Sequence, residues 1–255
     1  DDLNDDFKEY ISKLLKKGKT RGYGHWVWQT YIHQVVLSKM NEGDIYHWCD
    51  VGCHFNIKGI SRLKEYIEIV KKDEKGCLFF SYKEPDLSKE FSNYNFAKNL
   101  EYEYTKSDLI KYFNLRLEDN IIQTPQVWGG SFFLRKCLVS NNLMKEHYEI
   151  TRNRYDLIDD DETKFIEKPL PGFIAHRHSQ SVLSILAKKI NCNFLSAYES
   201  EWALDMNRKR TFNHLNFFPI IAKRDKRKFF LFRFFDRQIK NYRRKINKIK
   251  SFFNF

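Results

Sequence analysis

The sequence lacks three features that would place it in a well-marked class of protein: a long apolar run, paired cysteines and a secretory signal. No stretch of 18 consecutive apolar residues occurs, so we expect no membrane-spanning helix. The five cysteines include no CxxC pair, which indicates reduced thiols in a cytosolic protein. No signal peptide and no internal repeat are recognisable. With 42% hydrophobic and 16% aromatic residues, the composition is that of a globular chain.

Acidic residues are scarce in the last part of the chain, where basic residues accumulate. From Lys223 onward, 13 Lys and Arg residues stand against two Asp residues. Since the whole chain carries +12 and this segment +11, the first 222 residues carry only +1. A pI of about 9.3 and many aromatic residues suggest nucleic-acid binding, which we keep as an alternative function. The nearly neutral body argues against it, so we predict no nucleic-acid partner.

The basic segment, residues 223–255, is predicted to be a tail attached to a domain over residues 1–222. Apolar side chains recur there at intervals of three and four: Phe232, Phe235, Ile239, Tyr242, Ile246, Ile249 and Phe253. This stripe predicts an amphipathic helix over about residues 228–253, with Lys and Arg on its other faces. Such a helix can lie on an anionic membrane, which predicts a cytoplasmic protein peripheral on the inner face of the cell membrane. A coiled-coil seam or packing on the body remain alternatives.

Helical and strand-like patterns alternate along the body, which predicts an α/β fold with a largely parallel sheet. The apolar residues predict a helix around residues 7–15, a short helix over 31–40, a strand over 45–49, a helix over 60–72, a strand from Cys77, a strand interrupted at Gly129-Gly130, a helix near 136–148, a helix over 179–190 and a strand around 194–198.

The segment IYHWCDVG, residues 45–52, ends an apolar strand on a carboxylate that a glycine soon follows. In an open α/β sheet, ligands bind beyond the carboxyl ends of the strands. Asp50 is therefore a candidate to hold a metal ion or a ribose hydroxyl, and Gly52 to let the backbone pass close to a ligand. The alternative is that Asp50 caps the following turn and that Gly52 permits it.

Four blocks in order carry a resemblance to a known family: RGYGHWVWQTYI, NEGDIYHWCDVGCHFN, EYTKSDLI and HRHSQSVLSILAKK. They resemble bacterial glycosyltransferase-like proteins of lipopolysaccharide and capsule gene clusters, over residues 21 to about 190. The resemblance implies a GT-A-like open, mixed and mostly parallel sheet flanked by helices. It also implies a nucleotide-sugar donor, a lipid-linked or surface-polysaccharide acceptor and a divalent metal, Mn²⁺ or Mg²⁺. The first strand and helix of such a fold are expected to lie before residue 1.

The chain departs from the family pattern at three places. Gly52 stands where most GT-A enzymes have the second carboxylate of a DxD motif, Gln29-Thr30 stands for Lys-Pro, and Ser179 stands for Asp. These departures keep open a degenerate transferase that binds nucleotide sugars without turnover.

The first and third blocks contain candidate phosphate-binding residues. The donor-binding residues of the first block are expected to be Arg21, Gly22, Tyr23, Gly24 and Trp26. Arg21 offers a fork of donors for a diphosphate, and the glycines allow close backbone approach. Lys106, at a predicted helix N-terminus beside Thr105, is a further phosphate candidate. The alternatives are a structural turn with an aromatic core in the first case and a capped surface helix in the second.

The fourth block contains two histidines that an extended segment would present on the same side, His176 and His178. Imidazole binds divalent ions and acts as a base near neutral pH. We predict that Asp50, His176 and His178 bind the metal, and that Asp50, His178 and Gln180 are catalytic, with Gln180 bonded to a sugar hydroxyl. A histidine pair with local hydrogen bonds is the alternative. The acidic run 159–161 is a reserve candidate for the acceptor base.

Overall fold

The computed structural model of the chain describes residues 3–86 and 91–223, together with Gln238 and Tyr242. The α-helices of the described residues, beside several short 3-10 turns, are α1 (Asp5–Lys16), α2 (Gly22–His25), α3 (Val27–Lys39), α4 (Ile60–Lys72), α5 (Glu101–Tyr104), α6 (Ser107–Tyr112), α7 (Asn120–Gln123), α8 (Leu138–Asn153) and α9 (Ser179–Lys189). The strands are β1 (Ile45–Cys49), β2 (His54–Phe55), β3 (Cys77–Ser81), β4 (Val127–Arg135), β5 (Asn193–Ser196), β6 (Ala203–Leu204), β7 (Arg210–Thr211) and β8 (Ile220–Ile221). Within this part of the chain, no helix has the length and apolar character needed to cross a bilayer.

The main sheet has four strands in the order β1-β4-β3-β5. The α/β class and a mixed sheet are confirmed, but the prediction of a largely parallel sheet is wrong. β4 runs antiparallel to both β1 and β3, and only β3 and β5 pair in parallel. Because β1, β3 and β5 point in one direction, a single reversed strand inserted between β1 and β3 makes two of the three pairings antiparallel.

Helices cover both faces of the sheet, because successive strand side chains point to opposite faces. On one face, Phe79 and Phe132 pack with the apolar residues of α1, α3, α8 and α9. On the other face, Phe80 and Phe133 pack against Tyr66 of α4. All five rings are buried. The sheet is thus the middle of three layers. Because helices cover both of its faces, the ends of its strands are the part that can border a site.

The predicted interruption at the glycine pair 129–130 takes the form of a bulge inside β4, which continues on both sides of it. Between two successive residues of β3, the partner on β4 jumps from Phe132 to Trp128. A Cβ on Gly130 would lie 2.3 Å from the Trp128 ring, so only glycine fits there. The bulge bends β4 where it borders the cleft described below.

The predicted amphipathic tail lies outside the described residues, apart from Gln238 and Tyr242, which are both helical and exposed. The predicted strand and helix before residue 1 likewise fall outside them. The structure therefore bears on residues 3–222 of the predicted domain, except residues 87–90.

Candidate functional site

Asp50 follows β1 directly and lies in the lining of a cleft of about 470 Å³. Its backbone N–H donates to the Gly130 carbonyl over 2.8 Å, which extends the pairing of β1 with β4 past the strand end. Its Oδ1 accepts a hydrogen bond of 3.4 Å from Gln29 Nε2. Gly52 lines the same cleft. The structure thus places the strand-end carboxylate in a cleft, although on an edge strand of the four-stranded sheet.

The lining of the cleft combines cationic, anionic and flat aromatic side chains. Its charged residues are Arg21, Arg177, Arg210, Asp50 and Glu201. Its tryptophans are Trp26, Trp128 and Trp202. The Arg210 guanidinium carbon lies 4.1 Å from the centre of a Trp202 ring, so these two side chains form one stacked surface. Three guanidinium groups against two carboxylates suit an anionic ligand that also carries a ring.

Glu201 is a lining residue that sequence reasoning missed. Burial raises the pKa of its carboxyl from the ordinary 4.5 to about 7, and the charge of Asp50 acts in the same direction. A hydrogen bond from the Trp202 backbone and the charges of Arg177 and Arg210 oppose the rise. A carboxyl with a pKa near neutrality can take or give a proton at physiological pH, which is what acid–base catalysis needs.

The raised pKa of Glu201 predicts how stability depends on pH. The folded state keeps the proton up to about pH 7 and the unfolded state loses it near 4.5, so this group lowers the free energy of unfolding as pH rises between those values. The Glu201→Gln variant should equal the wild type at pH 4 and exceed its unfolding free energy by up to about 3 kcal/mol at pH 8. Urea denaturation at both pH values measures this, with Glu118→Gln on the surface as the control. An equal difference at both pH values would contradict it.

Residues Gly22–Trp26 form a left-handed turn, in which φ lies between +52° and +78° at all five positions. A left-handed conformation costs a non-glycine residue about 1–2 kcal/mol. A Cβ on Gly22 would lie 2.5 Å from the Trp26 ring, and one on Gly24 would lie 2.9 Å from Leu14. The two glycines therefore allow the turn to form and to pack on α1.

Only part of the predicted donor loop reaches the cleft. Arg21 and Trp26 line it, whereas Gly22, Tyr23 and Gly24 are not in the lining. Tyr23 is 67% exposed and Gly24 is buried. The prediction that these glycines bring the backbone close to a ligand is corrected, because the left-handed turn explains them.

The two histidines of the fourth block point to different places. His178 has φ 56° and ψ −131°, which breaks the alternation of an extended segment, and the two ring planes differ by 62°. His176 Nδ1 accepts from the Lys106 backbone N–H at 3.3 Å, and its Nε2 lies 3.0 Å from the Leu157 carbonyl oxygen. Since both nitrogens are engaged, the prediction of His176 as a metal ligand is corrected. His178 lines the cleft with Asp50.

Lys106 lies outside the cleft lining and is buried, so its predicted phosphate contact is corrected as well. Its Nζ donates to the carbonyl oxygens of Asp156 and Asp159, the second at 3.1 Å. Burial lowers the pKa of this amine, although acidic neighbours oppose the shift. Lys106 therefore fixes the loop over residues 156–161.

That loop carries Asp160, which contacts Arg21 and His178 of the cleft lining but is not itself part of that lining. Asp160 Oδ1 lies 3.2 Å from His25 Nε2, and Oδ2 lies 3.7 Å from His178 Nε2 and 2.6 Å from Arg21 Nη1. Burial would raise the pKa of Asp160, but the hydrogen bond from His25 and the neighbouring cationic groups hold it below its ordinary range. Burial lowers the pKa of His178 to about 3, so its imidazole is neutral and a weak base at pH 7.

Gln180 reaches the cleft from the first turn of α9 and is held by a buried polar network. Its Nε2 donates to Gln126 Oε1 over 3.0 Å. Gln126 Nε2 in turn contacts Glu101 Oε1 at 3.1 Å and Ser181 Oγ at 3.0 Å. Glu101 is fully buried and pairs with Lys188 Nζ at 2.7 Å. The orientation of Gln180 is therefore set by groups beneath the cleft.

The predicted metal set of Asp50, His176 and His178 does not fit a divalent ion, because His176 has no free nitrogen. Among the described residues, His25, Asp160 and His178 are the group whose ligand atoms all lie within 4.8 Å of one another. Asp50 is not a member of it. We therefore assign no step of a reaction to a metal at Asp50.

Sequence reasoning missed His25 and Glu201 and kept Asp160 only as one of three reserve acids. His25 sits in a recognised block, but no spacing connected it with His178, since the left-handed turn is what brings the rings to 4.4 Å. Glu201 lies between a 3-10 turn over Ala197–Glu199 and β6, where the sequence has no recognisable pattern, and its pKa depends on burial. A sequence signal for Asp160 existed in the acidic run, where one of the three carboxylates contacts two residues of the cleft lining, Arg21 and His178.

The lining of the cleft limits the class of ligand that fits it. It does not identify one ligand, because one architecture can serve several functions. Cationic groups, two carboxylates and tryptophan rings are compatible with any ligand that joins an anion to a ring and to hydroxyl groups. Comparison with known proteins finds no family model, no curated protein and no solved structure that matches this chain.

Proposed function

We propose that this chain is a glycosyltransferase that moves a sugar from a nucleotide-sugar donor to a hydroxyl of a glycan or lipid-linked acceptor. The observation that carries the proposal is a single cleft in which Asp50 meets three arginines and three tryptophans. Three of the four sequence blocks contribute to it, through Arg21 and Trp26, Asp50 and Gly52, and His178 and Gln180. Blocks that lie more than 100 residues apart thus share one cavity, as residues of a common site would.

Each part of a nucleotide sugar finds a complementary group in this cleft. The diphosphate suits the guanidinium groups, because each can donate two parallel hydrogen bonds to phosphate oxygens. The base can stack on a tryptophan ring. The Asp50 carboxylate can accept hydrogen bonds from hydroxyl groups of the ribose or of the sugar, and Gln180 offers an amide for the same purpose.

The reaction requires one bond to break and one to form. The bond between the anomeric carbon and the phosphate oxygen breaks, and the acceptor oxygen forms a new bond to that carbon. The acceptor proton passes to Glu201, whose pKa of about 7 suits a base at neutral pH. The arginines stabilise the charge on the departing nucleoside diphosphate. Glu201 replaces His178 as the proposed base, because His178 has a pKa of about 3.

A binding experiment tests this proposal before any acceptor is known. We expect one class among uridine, guanosine and cytidine sugar nucleotides to raise the melting temperature, measured with and without Mn²⁺. A ligand at 100 times its Kd stabilises the folded state by about 2.7 kcal/mol, which shifts the melting temperature by several degrees. Arg177→Gln should remove most of the shift, since it deletes one phosphate donor of the cleft.

Arg116→Gln is the matched control, because the Arg116 side chain is 80% exposed and pairs at the surface with Glu118 at 3.9 Å. It should bind as the wild type does. If none of the sugar nucleotides shifts the melting temperature of the wild type under either condition, the proposed donor is wrong.

A further inference from the structure

The side chains of His25, Asp160 and His178 meet between the left-handed turn and the N-terminus of α9, and we refer to them as the His-Asp-His triad. We propose that this triad binds one divalent transition-metal ion, of the class that includes Zn²⁺, Co²⁺, Fe²⁺ and Mn²⁺. Two imidazoles and a carboxylate are ligands that these ions share. The proposal concerns ion binding itself and stands whether or not the chain transfers sugars.

The strongest indication is a buried nitrogen that lacks a hydrogen-bond partner. His178 Nδ1 lies 2.9 Å from the Ile158 carbonyl oxygen, which can only accept, so Nδ1 carries a hydrogen. In the neutral ring, Nε2 then presents a lone pair. That Nε2 is buried, has no hydrogen-bond partner and lies 3.7 Å from Asp160 Oδ2. A lone pair that faces a carboxylate oxygen is repelled unless a cation lies between them.

The second histidine is oriented in the same way. His25 Nε2 donates a hydrogen bond to Asp160 Oδ1 over 3.2 Å. Its Nδ1 lies 2.9 Å from the Tyr155 hydroxyl, which can accept the ring hydrogen when an ion takes the place of the hydrogen on Nε2. Each imidazole of the triad therefore uses its far nitrogen for a fixed hydrogen bond and aims the near one at the same carboxylate. This arrangement is typical of metal-binding histidines, whose second nitrogen is held by a carbonyl or another polar group.

The distances inside the triad suit a common ion. Two ligand atoms at about 2.0–2.2 Å from a tetrahedral ion lie roughly 3.3–3.6 Å apart. The separations of 3.2 and 3.7 Å between Asp160 and the two imidazoles bracket that value. Lys106 and Lys19 brace the loop that carries Asp160, since Lys106 Nζ bonds the Asp159 carbonyl and Lys19 Nζ pairs with the Asp159 carboxylate at 2.6 Å.

One coordination position of the ion would face the cleft, because His178 lines it. Three protein ligands and an open position are the pattern of exchangeable rather than closed sites. Arg21 also contacts Asp160, but its side chain is 59% exposed and can turn away. The ion adds two positive charges at this place, so an anionic fourth ligand such as a phosphate is favoured.

Metal titration of the chelator-treated full chain tests the proposal without any sugar nucleotide. We expect the wild type to bind one equivalent of Co²⁺ per chain, followed by visible absorption, and one equivalent of Zn²⁺, followed by calorimetry. Asp160→Asn and His178→Ala should each lower the affinity for both ions at least about 100-fold. Asp160→Asn keeps the shape of the side chain. His54→Ala removes an exposed histidine far from the triad in sequence and should leave binding unchanged.

Circular dichroism shows which variants are folded. If His178→Ala does not fold, Asp160→Asn alone decides whether the triad binds the ion. The proposal is overturned if the wild type binds no ion, or if folded Asp160→Asn binds Co²⁺ and Zn²⁺ as tightly as His54→Ala does. It is also overturned if the ion is lost only on replacement of cysteines. The metal titration contains no nucleotide sugar, so its outcome does not depend on whether the transferase proposal is correct.

Discussion

Asp50→Asn is expected to lower the rate of sugar transfer at least about 100-fold while the chain stays folded. The substitution keeps the shape of the side chain and its contact with Gln29 but removes the negative charge from the cleft. Loss of one charge-assisted hydrogen bond to a reacting ligand costs about 10²–10³ in rate. Asp50 lies just beyond β1 and outside the two buried apolar clusters, so we expect the melting temperature to change little.

Glu42→Gln is the matched control for this variant. Glu42 is exposed and lies in the turn that precedes β1, whereas Asp50 follows the opposite end of that strand. It should transfer sugar at the wild-type rate. Transfer by Asp50→Asn at a comparable rate would show that the strand-end carboxylate has no part in the reaction.

Glu101→Leu is expected to be the most destabilising single substitution in the part of the chain that the structure describes. Glu101 is fully buried and accepts hydrogen bonds from Thr105, Gln126 and Ser184 in addition to Lys188. Leucine leaves these donors without their acceptor and the ammonium without its counter-charge. Removal of one partner from a buried ion pair costs about 3–5 kcal/mol, or about 10 °C in melting temperature for a domain of this size.

The same change at Glu118, whose side chain is 70% exposed, is the control and should cost less than about 1 kcal/mol. The double variant Glu101→Leu with Lys188→Met should recover part of the loss, because neither charge is then buried alone. Urea denaturation gives both comparisons. A loss for Glu101→Leu as small as that of the Glu118 control would mean that the network carries little stability.

Local elements of the fold could be predicted because their apolar spacing is local. The strand Ile45–Cys49 and the helix Ile60–Lys72 agree with the sequence pattern at both ends. Strand direction could not be predicted in this way, since the insertion of β4 between β1 and β3 depends on packing between distant segments. The bulge at the glycine pair 129–130 shows the same limit: the sequence indicates an irregularity, and only the register of β3 shows its form.

Part of the candidate site could be predicted from the recognised blocks, because Asp50, Arg21 and His178, which were named from them, line one cleft. It was not predictable where backbone conformation redirects a side chain. His178 leaves the extended conformation, so the expected alternation with His176 fails. The charge state of Glu201 could not be predicted from the sequence either, because burial by distant segments sets its pKa.

The lining of the cleft begins at Arg21 and ends at Ala222, so it draws on almost the full described length of the chain. Contacts between residues so far apart in sequence form slowly, because long loops must close before they are stabilised. During synthesis, helices and the β3-β4 pairing can form early, but the cavity is complete only after residue 222 has emerged and folded back. A chain halted midway therefore possesses secondary structure without the cleft, and under the proposed function it would not bind the donor.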